Sequence, residues 1–536
     1  MIIGIDLDNT IINYEYAFKE GLKYLNINLP ENLKSKNEIR NFLRSLNDGE
    51  FHWQKLQGIV YGKLLNNYGR LYNGVSRFIW RSFFAGFKIK IISHKTEFGH
   101  FDEDKIPLRE AALKFLENNS LFPNKTVEQV VFKDTFQEKI DEIKKSSCTV
   151  FIDDLVEVIT NISPFIPQSY LFSSENFGLN FESKNWSQLD SEINGSWKIS
   201  EIIKITEDFI GESPINVEQI KNGGNSGVYK LNFKHKKSLI LKIYSVEGNR
   251  NSLNTEFNSL KFLQDLGIHN IPNPVLKNEA LGIAFYNCIE GIKITEYSEH
   301  DIDSCIKFIH RINHLKNKFN VNTNYISNAS DACFSAIEIE KHIEKRLSLF
   351  ISPKNNNLKL NLFLNNEYNP IWKKILSYIK LNWNSSIDFN DDISQDDKIL
   401  SPSDFGFHNA LKNNKNVIYF LDFEYFGWDD PLKLACDFYI HPGMNLNKHL
   451  GMYWIKNFFK NFNQSHFKRF QLIKFLYWMT WPLITLNDFR DDVWLRRRLS
   501  LNYQVNRQDI LTFQLNKSRN LLIQINETFK EEIENA

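Results

Sequence analysis

Four short apolar runs bounded by polar turns open the chain: IIGIDL from Ile2, FKIKIIS (Phe87–Ser93), EQVVF (Glu128–Phe132) and CTVFIDD (Cys148–Asp154). Runs of this length, separated by helical patterns, predict parallel strands buried on both faces. Between the first two, residues from about 13 to 81 read as helical. That is longer than a crossover needs, so an inserted helical cap is expected. The polar stretch NFESKNWSQLDSEINGSW (Asn180–Trp197) reads as a linker. Beyond it the pattern changes. YKLNF, SLILKIY and GIAFYNCI predict antiparallel strands, and a long helical region follows with two short strand-like runs, KILSP and VIYFLDFE. No internal repeat interrupts this order.

The first strand ends in GIDLDNTII, which carries Asp6, Asp8 and Thr10. Two like charges one residue apart suit an alternating exposed strand, or a phosphoryl-transfer site. The second reading requires partners at the ends of neighbouring parallel strands, where ligands bind in open α/β sheets. FIDDLVEVI supplies Asp153 and Asp154, the second run supplies Ser93, and QEKIDEIKK supplies Lys139, with Lys133 as a rival. These residue types fit one chemistry. Mg²⁺ takes a few hard oxygen ligands, here Asp6, Asp8, Asp153 and Asp154. Asp6 can attack phosphorus to form an aspartyl-phosphate, and Asp8 can act as acid and base. Thr10, Ser93 and Lys139 can hold the phosphoryl oxygens.

This set resembles the haloacid dehalogenase-like hydrolase superfamily over about residues 1–175. DLDNT resembles the family's DxDx[T/V] loop, and the resemblance names Asp6 as nucleophile and Asp8 as acid/base. Ser93, Lys139 and Asp153/Asp154 resemble the second, third and fourth motifs. The helical segment lies where the family carries its C1-type cap, which implies a small soluble substrate.

A second constellation follows. KNGGNSGVYKLNF begins with a Gly-rich turn, in which Gly223, Gly224 and Gly227 would let a backbone hairpin approach phosphates closely. In SLILKIY, Lys242 interrupts an apolar strand and needs an anionic partner. Glu256 lies on the amphipathic helix RNSLNTEFNSLKFLQDLG. Far downstream, SPSDFGFHNALKNNKNVIYFLDFE holds Asp404 and Asn409 at D-x4-N spacing, and Asp422 closes an apolar strand. In a kinase, this order provides phosphate-orienting Lys and Glu, a base that accepts the hydroxyl proton, and two Mg²⁺ ligands.

This half resembles the aminoglycoside phosphotransferase/choline kinase family over roughly residues 200–536. The family's HGDxxxxN reads PSDFGFHN, with Pro402 in place of His and Ser403 in place of Gly. Further on, DDPLKLACDF puts Lys433 near where the family often has Asp, with Asp437 as a structural substitute. His408 reads as a loop filler. Trp428, Trp454, Trp478, Trp481 and Trp494 read as core packing, with an aromatic cage for a quaternary ammonium as the alternative. WLRRRL (Trp494–Leu499) reads as a solvated helix face.

The chain has 536 residues, with Lys+Arg 65 against Asp+Glu 64, so charge gives no support for a nucleic-acid or membrane-surface partner. Five scattered Cys, without CxxC or a Cys/His cluster, argue against disulfides or zinc and suit a reducing compartment. No apolar run approaches the ~20 residues of a membrane span. The expectation is a cytoplasmic α/β enzyme. Residues 1–190 would form a Rossmann-like parallel sheet with a helical cap at about 13–81. Residues 191–536 would form a bilobal protein-kinase-like α+β domain, its N-lobe at about 200–291 and its C-lobe at about 292–536. Mg²⁺ and ATP or GTP would serve a phosphatase and a small-molecule hydroxyl kinase. By analogy, the pair suits synthesis of a sugar, polyol or amino-alcohol building block. Three alternatives are an inert nucleotide-binding domain that regulates the phosphatase, an antibiotic-modifying phosphotransferase, and an N-terminal phosphotransferase or mutase that passes the phosphoryl group to a second substrate instead of water.

Overall fold

The computed structural model describes residues 1–28, 30, 33, 35–101, 104–220, 226–246, 251–318, 326–351, 357–385, 387–462, 464–497 and 506–534. Apart from two short segments, one compact unit is Met1–Val217 and the other Glu218–Ala536. The division falls later than residue 190 because the stretch expected as a linker is folded. It holds a short strand, Glu182–Ser183, and a helix, Trp186–Ile193, that begins where the Asn185 side chain accepts from Gln188 N.

The first unit is built on a six-stranded parallel sheet. Its strands are β1 (Ile2–Ile5), β2 (Lys88–His94), β3 (Gln129–Lys133), β4 (Val150–Asp153), β5 (Gln168–Phe172) and β6 (Glu182–Ser183), in the order β3-β2-β1-β4-β5-β6. β1 pairs in parallel with β2 on one side and β4 on the other, in the registers Ile5↔Ile91 and Ile5↔Ile152. The chain winds outward through β2 and β3 and then returns to the far side of β1. The β1/β4 boundary is therefore the topological switch point, where a crevice opens at the strand C-termini.

Helices α1 (Glu15–Tyr24), α2 (Lys36–Arg44) and α3 (Gly49–Tyr61) form the insertion after β1. Their contact is aromatic: Phe18 stacks on Trp53 at 5.3 Å. The last helix before β2, α4 (Val75–Phe84), belongs with the sheet and packs through Phe78 on Trp186 at 5.0 Å. α5 (Phe136–Lys145) starts at a Thr135/Glu138 capping box and buries Lys139, Ile140 and Ile143 on one face. The former linker contributes α6 (Trp186–Ile193), and α7 (Ile199–Ile210) completes the unit. Arg81 binds these helices to α4, with 2.7 Å to Asp190 and 2.8 Å to Glu201.

The second unit opens with a five-stranded sheet: β7 (Asn216–Gln219), β8 (Gly227–Asn232), β9 (Leu239–Ile243), β10 (Pro274–Asn278) and β11 (Ile283–Asn287), in the order β10-β11-β9-β8-β7. β9 runs antiparallel to both β8 and β11, and α8 (Ser252–Asp265) follows it. The remainder is mainly helical, including α9 (Glu299–Lys318), α10 (Pro431–Ile440) and α11 (Gln464–Thr485). Short strands lie among the helices: β12 (Ile292–Lys293), β13 (Ile399–Ser401), β14 (Ala410–Lys412), β15 (Ile418–Phe420) and β16 (Gly427–Asp429). They form a three-stranded sheet, β12-β14-β15, and a β13-β16 pair. Trp454 and Trp478 are buried in the core, as the packing reading expects. All five cysteines are free. Among the described residues, no helix is long and apolar enough to cross a membrane.

Candidate functional site

At the C-terminal end of β1, Asp6 is buried and Lys139 reaches it from α5. The Lys139 ammonium lies 2.7 Å from Asp6 Oδ1 and 2.7 Å from Asp153 Oδ2. One oxygen from each of Asp6, Asp153 and Asp154 falls within a 4.8 Å cluster. Lys139, not Lys133, therefore meets the acids; Lys133 pairs with Glu142 at 2.8 Å. Burial, then repulsion from Asp6 and Asp153, pushes the Asp154 carboxyl up to about 8. Burial also raises Asp6 to about 7, against the pull of Lys139. Three carboxylates face one ammonium, an excess of buried negative charge that a divalent cation would compensate.

The Asp8 side chain faces elsewhere. It accepts the Tyr14 hydroxyl at 2.6 Å and lies 2.9 Å from Lys95 Nζ. Burial opposes its ionisation, but the Lys95 charge and the bonds from Tyr14 and Lys95 outweigh it and hold the carboxyl below the usual range. The expectation that Asp8 joins the cation-binding carboxylates thus differs from the geometry: two donors already take its oxygens. Thr10 Oγ1 and Ser93 Oγ are buried and have no partner among the described residues. Two idle hydroxyls beside a cluster of acids and a lysine fit an anion such as phosphate. Asn9, in the same loop, adopts φ 60.

In the second unit, Lys242 Nζ lies 2.6 Å from Glu256 Oε2 and 2.7 Å from Asp422 Oδ1. Tyr244 donates to the same Glu256 oxygen at 2.6 Å. Glu256, Asp422 and Glu424 form another carboxylate cluster within 4.8 Å. Leu421 N donates to Asn409 O at 2.8 Å, which brings the two expected cation ligands side by side. Asn409 Nδ2 bonds the Asp404 carbonyl at 3.1 Å and its Oδ2 at 3.3 Å. Ser403 and Asp422 both adopt left-handed backbone, φ 68 and φ 65. Non-glycine residues in this region store strain and concentrate at functional sites. Gly223 and Gly224 lie outside the described residues, and Gly227 is the buried first residue of β8.

Four residues here escaped the sequence reading. Lys95 stands two residues beyond Ser93, as Asp8 stands two beyond Asp6, and that shared spacing was its signal. Glu424 has the same spacing from Asp422. Tyr14 and His441 come from helix ends, with no motif to mark them. His441 Nε2 is 3.2 Å and His408 Nε2 2.9 Å from Asp404 Oδ1, so His408 is more than a loop filler. Lys433 is buried, with its ammonium 2.9 Å from Ser403 Oγ, 3.1 Å from Asp437 and 3.4 Å from Asp429.

No family model matches the chain, and no curated protein matches it. Among solved structures, it is similar to spectinomycin phosphotransferase APH(9)-Ia in complex with ADP and spectinomycin. That likeness has 14% identity and a TM-score of 0.43, and covers 61% of this chain and 98% of the other. It is also similar to choline kinase LicA from Streptococcus pneumoniae, at 16% identity and TM-score 0.40, over 60% of this chain and 98% of the other. Choline kinase from Cryptosporidium parvum Iowa II gives 14% identity and TM-score 0.37, over 61% and 98%. At these identities and scores, the functional reading stands on the geometry.

Proposed function

We propose that the chain carries two phosphoryl-transfer centres: a haloacid dehalogenase-like phosphatase in the first unit and a small-molecule hydroxyl kinase in the second. The observation that supports this most is that Asp6 and Asp153 share the buried Lys139 in one unit, and Glu256 and Asp422 share Lys242 in the other.

In the first centre, Asp6 attacks phosphorus, the ester bond breaks, and an aspartyl-phosphate forms on Asp6. Asp8 gives the proton of its carboxyl to the leaving oxygen, then takes one from the water that attacks the aspartyl-phosphate; the bond between Asp6 and phosphorus breaks, inorganic phosphate leaves and the Asp6 carboxylate is restored. Lys95 and Tyr14 favour its ionised form, which suits the water-activating half of the cycle. Thr10, Ser93 and Lys139 hold the phosphoryl oxygens. In the second centre, Lys242, oriented by Glu256, binds nucleotide phosphates, and Asp404 accepts the acceptor's hydroxyl proton. Mg²⁺ held by Asp6, Asp153 and Asp154, and by Asn409 and Asp422, would neutralise the phosphoryl oxygens at each centre. The substrates are a phosphorylated small molecule, ATP or GTP, and a hydroxyl acceptor of the sugar, polyol or amino-alcohol kind.

The test uses the full chain in two panels: phosphate release from phosphorylated metabolites, and nucleotide consumption with hydroxyl acceptors. Asp6→Asn should abolish the first and spare the second, and Asp404→Asn should do the reverse. Loss of both activities from either change would refute independent centres.

A further inference from the structure

Asp404 has two oxygens, and their surroundings differ. Oδ1 takes two imidazoles, His408 Nε2 at 2.9 Å and His441 Nε2 at 3.2 Å. Among the described residues, Oδ2 has only the 3.3 Å contact with Asn409 Nδ2. The two rings are stacked, with centroids 3.7 Å apart and planes 9° from parallel, and His441 and Trp481 lie nearly perpendicular with centroids 4.6 Å apart.

The proton positions follow from the partners. Gly443 N–H donates to His441 Nδ1 at 3.1 Å, so that nitrogen holds a lone pair and the neutral ring carries its proton on Nε2, facing Asp404. Burial keeps His441 neutral by pulling its pKa down. A proton on His408 Nε2 likewise leaves its buried Nδ1, which has no partner among the described residues, as an idle acceptor and not an idle donor. The same facts disfavour a cation between Asp404, His408 and His441. Each Nε2 lone pair would be needed for ligation, and with the proton on Nε2 neither ring offers one there.

The chain makes room for this pair. A Cβ at Gly406 would fall 3.0 Å from His408 Nδ1 and 2.4 Å from Met444 Sδ. A Cβ at Gly443 would fall 2.9 Å from His441 Cε1. Lys433 and Asp437 stand four residues apart on α10 and pair at 3.1 Å, and His441 caps the C-terminus of the same helix, where it meets Asp404.

We propose that His408 and His441 are positioning residues for Asp404: two imidazole N–H groups fix one carboxylate oxygen and leave the other to receive the acceptor's proton. The inference rests on the kinase reading of Asp404. His441, 37 positions from Asp404 in sequence (441 − 404), thereby becomes part of the same device as the neighbouring His408.

The full-length protein is assayed for ADP release from MgATP, with and without an acceptor, as wild type, Asp404→Asn, and Leu and Gln variants of each histidine. Each Leu variant should lower kcat ~10- to 100-fold, with KM values changed less than about twofold. Gln, which keeps an N–H near Nε2, should recover most of the loss. Long-range ¹⁵N–¹H spectra of histidine-labelled protein should give the Nε2–H tautomer for His441. Unchanged kcat in the Leu variants, Gln as damaging as Leu, KM moving with kcat, or an Nδ1–H tautomer would each overturn the proposal. So would stoichiometric Zn²⁺ binding that is lost with either histidine. Failure of the kinase reading looks different: no nucleotide turnover in wild type, or turnover that survives Asp404→Asn, with the Nε2–H tautomer intact. The catalytic assignment of the pair then falls with that reading.

Discussion

The Lys139 ammonium lies 2.7 Å from Asp6 Oδ1, with both side chains almost fully buried. Asp153 stands at the same distance on the other side. Breaking a buried pair leaves uncompensated charge, which costs more than the pair itself contributes. Lys139→Met is expected to destabilise the first unit by about 3–5 kcal/mol, measured by urea unfolding. Adding Mg²⁺ should recover part of the loss, since a cation can take the place of the missing charge.

Metal binding has a readout independent of turnover. Millimolar Mg²⁺ should raise the unfolding midpoint of the wild-type chain, because a ligand of the folded state alone stabilises it. Asp153→Asn should remove that shift, since Asp153 lies in the carboxylate cluster. An equal shift in wild type and variant would place the cation elsewhere.

Arg81 sets a second test. It is 2% exposed, paired with Asp190 and Glu201, and stacked against Trp197 at 4.3 Å. Arg81→Leu should cost about 3–5 kcal/mol by leaving two carboxylates without their cation. Adding Asp190→Asn and Glu201→Gln should restore part of this, a non-additivity expected of residues in one network.

An acid-stability test follows from Asp301, in the first turn of α9. Its carboxylate pairs with Lys412 at 2.5 Å and accepts from Ser298 Oγ at 2.7 Å. Burial works against the charge, but these partners win and hold the carboxyl below its usual value. A depressed carboxylate contributes stability that is complete above its unfolded pKa of about 3.9 and is lost as pH falls through the folded value. Asp301→Asn should be about 2 kcal/mol less stable near neutrality. The gap should close below about pH 4. A gap that stays constant well below that pH would show that the charge contributes nothing.

Much of both centres was legible because their residues end strands. The tip of a buried strand is a poor place for a charge, so Asp6, Asp153 and Asp422 stood out against apolar neighbours. Lys139 was recoverable from its position on an amphipathic helix. Tyr14 and His441 were not, because each meets its partner through the folded path of the chain and neither interrupts a pattern. The polar stretch around Trp186 misled for a related reason. Its surface residues outnumber the few buried ones, Ser183, Trp186, Leu189, Asp190 and Asn194, that tie it to the rest of the unit. A two-residue strand and a short helix leave little periodicity to read.

Trp186 shows what that misreading would mean at the bench. Its indole N–H donates to the Thr10 carbonyl at 2.9 Å, so a segment that resembles a tether holds the back of the acidic loop. A gene trimmed at residue 180 to express the N-terminal half alone would discard that support, the last strand and both carboxylates that neutralise Arg81. Dissection of the protein should therefore cut no earlier than Val217. A shorter fragment that proved insoluble or inactive would report on the scissors and not on the protein.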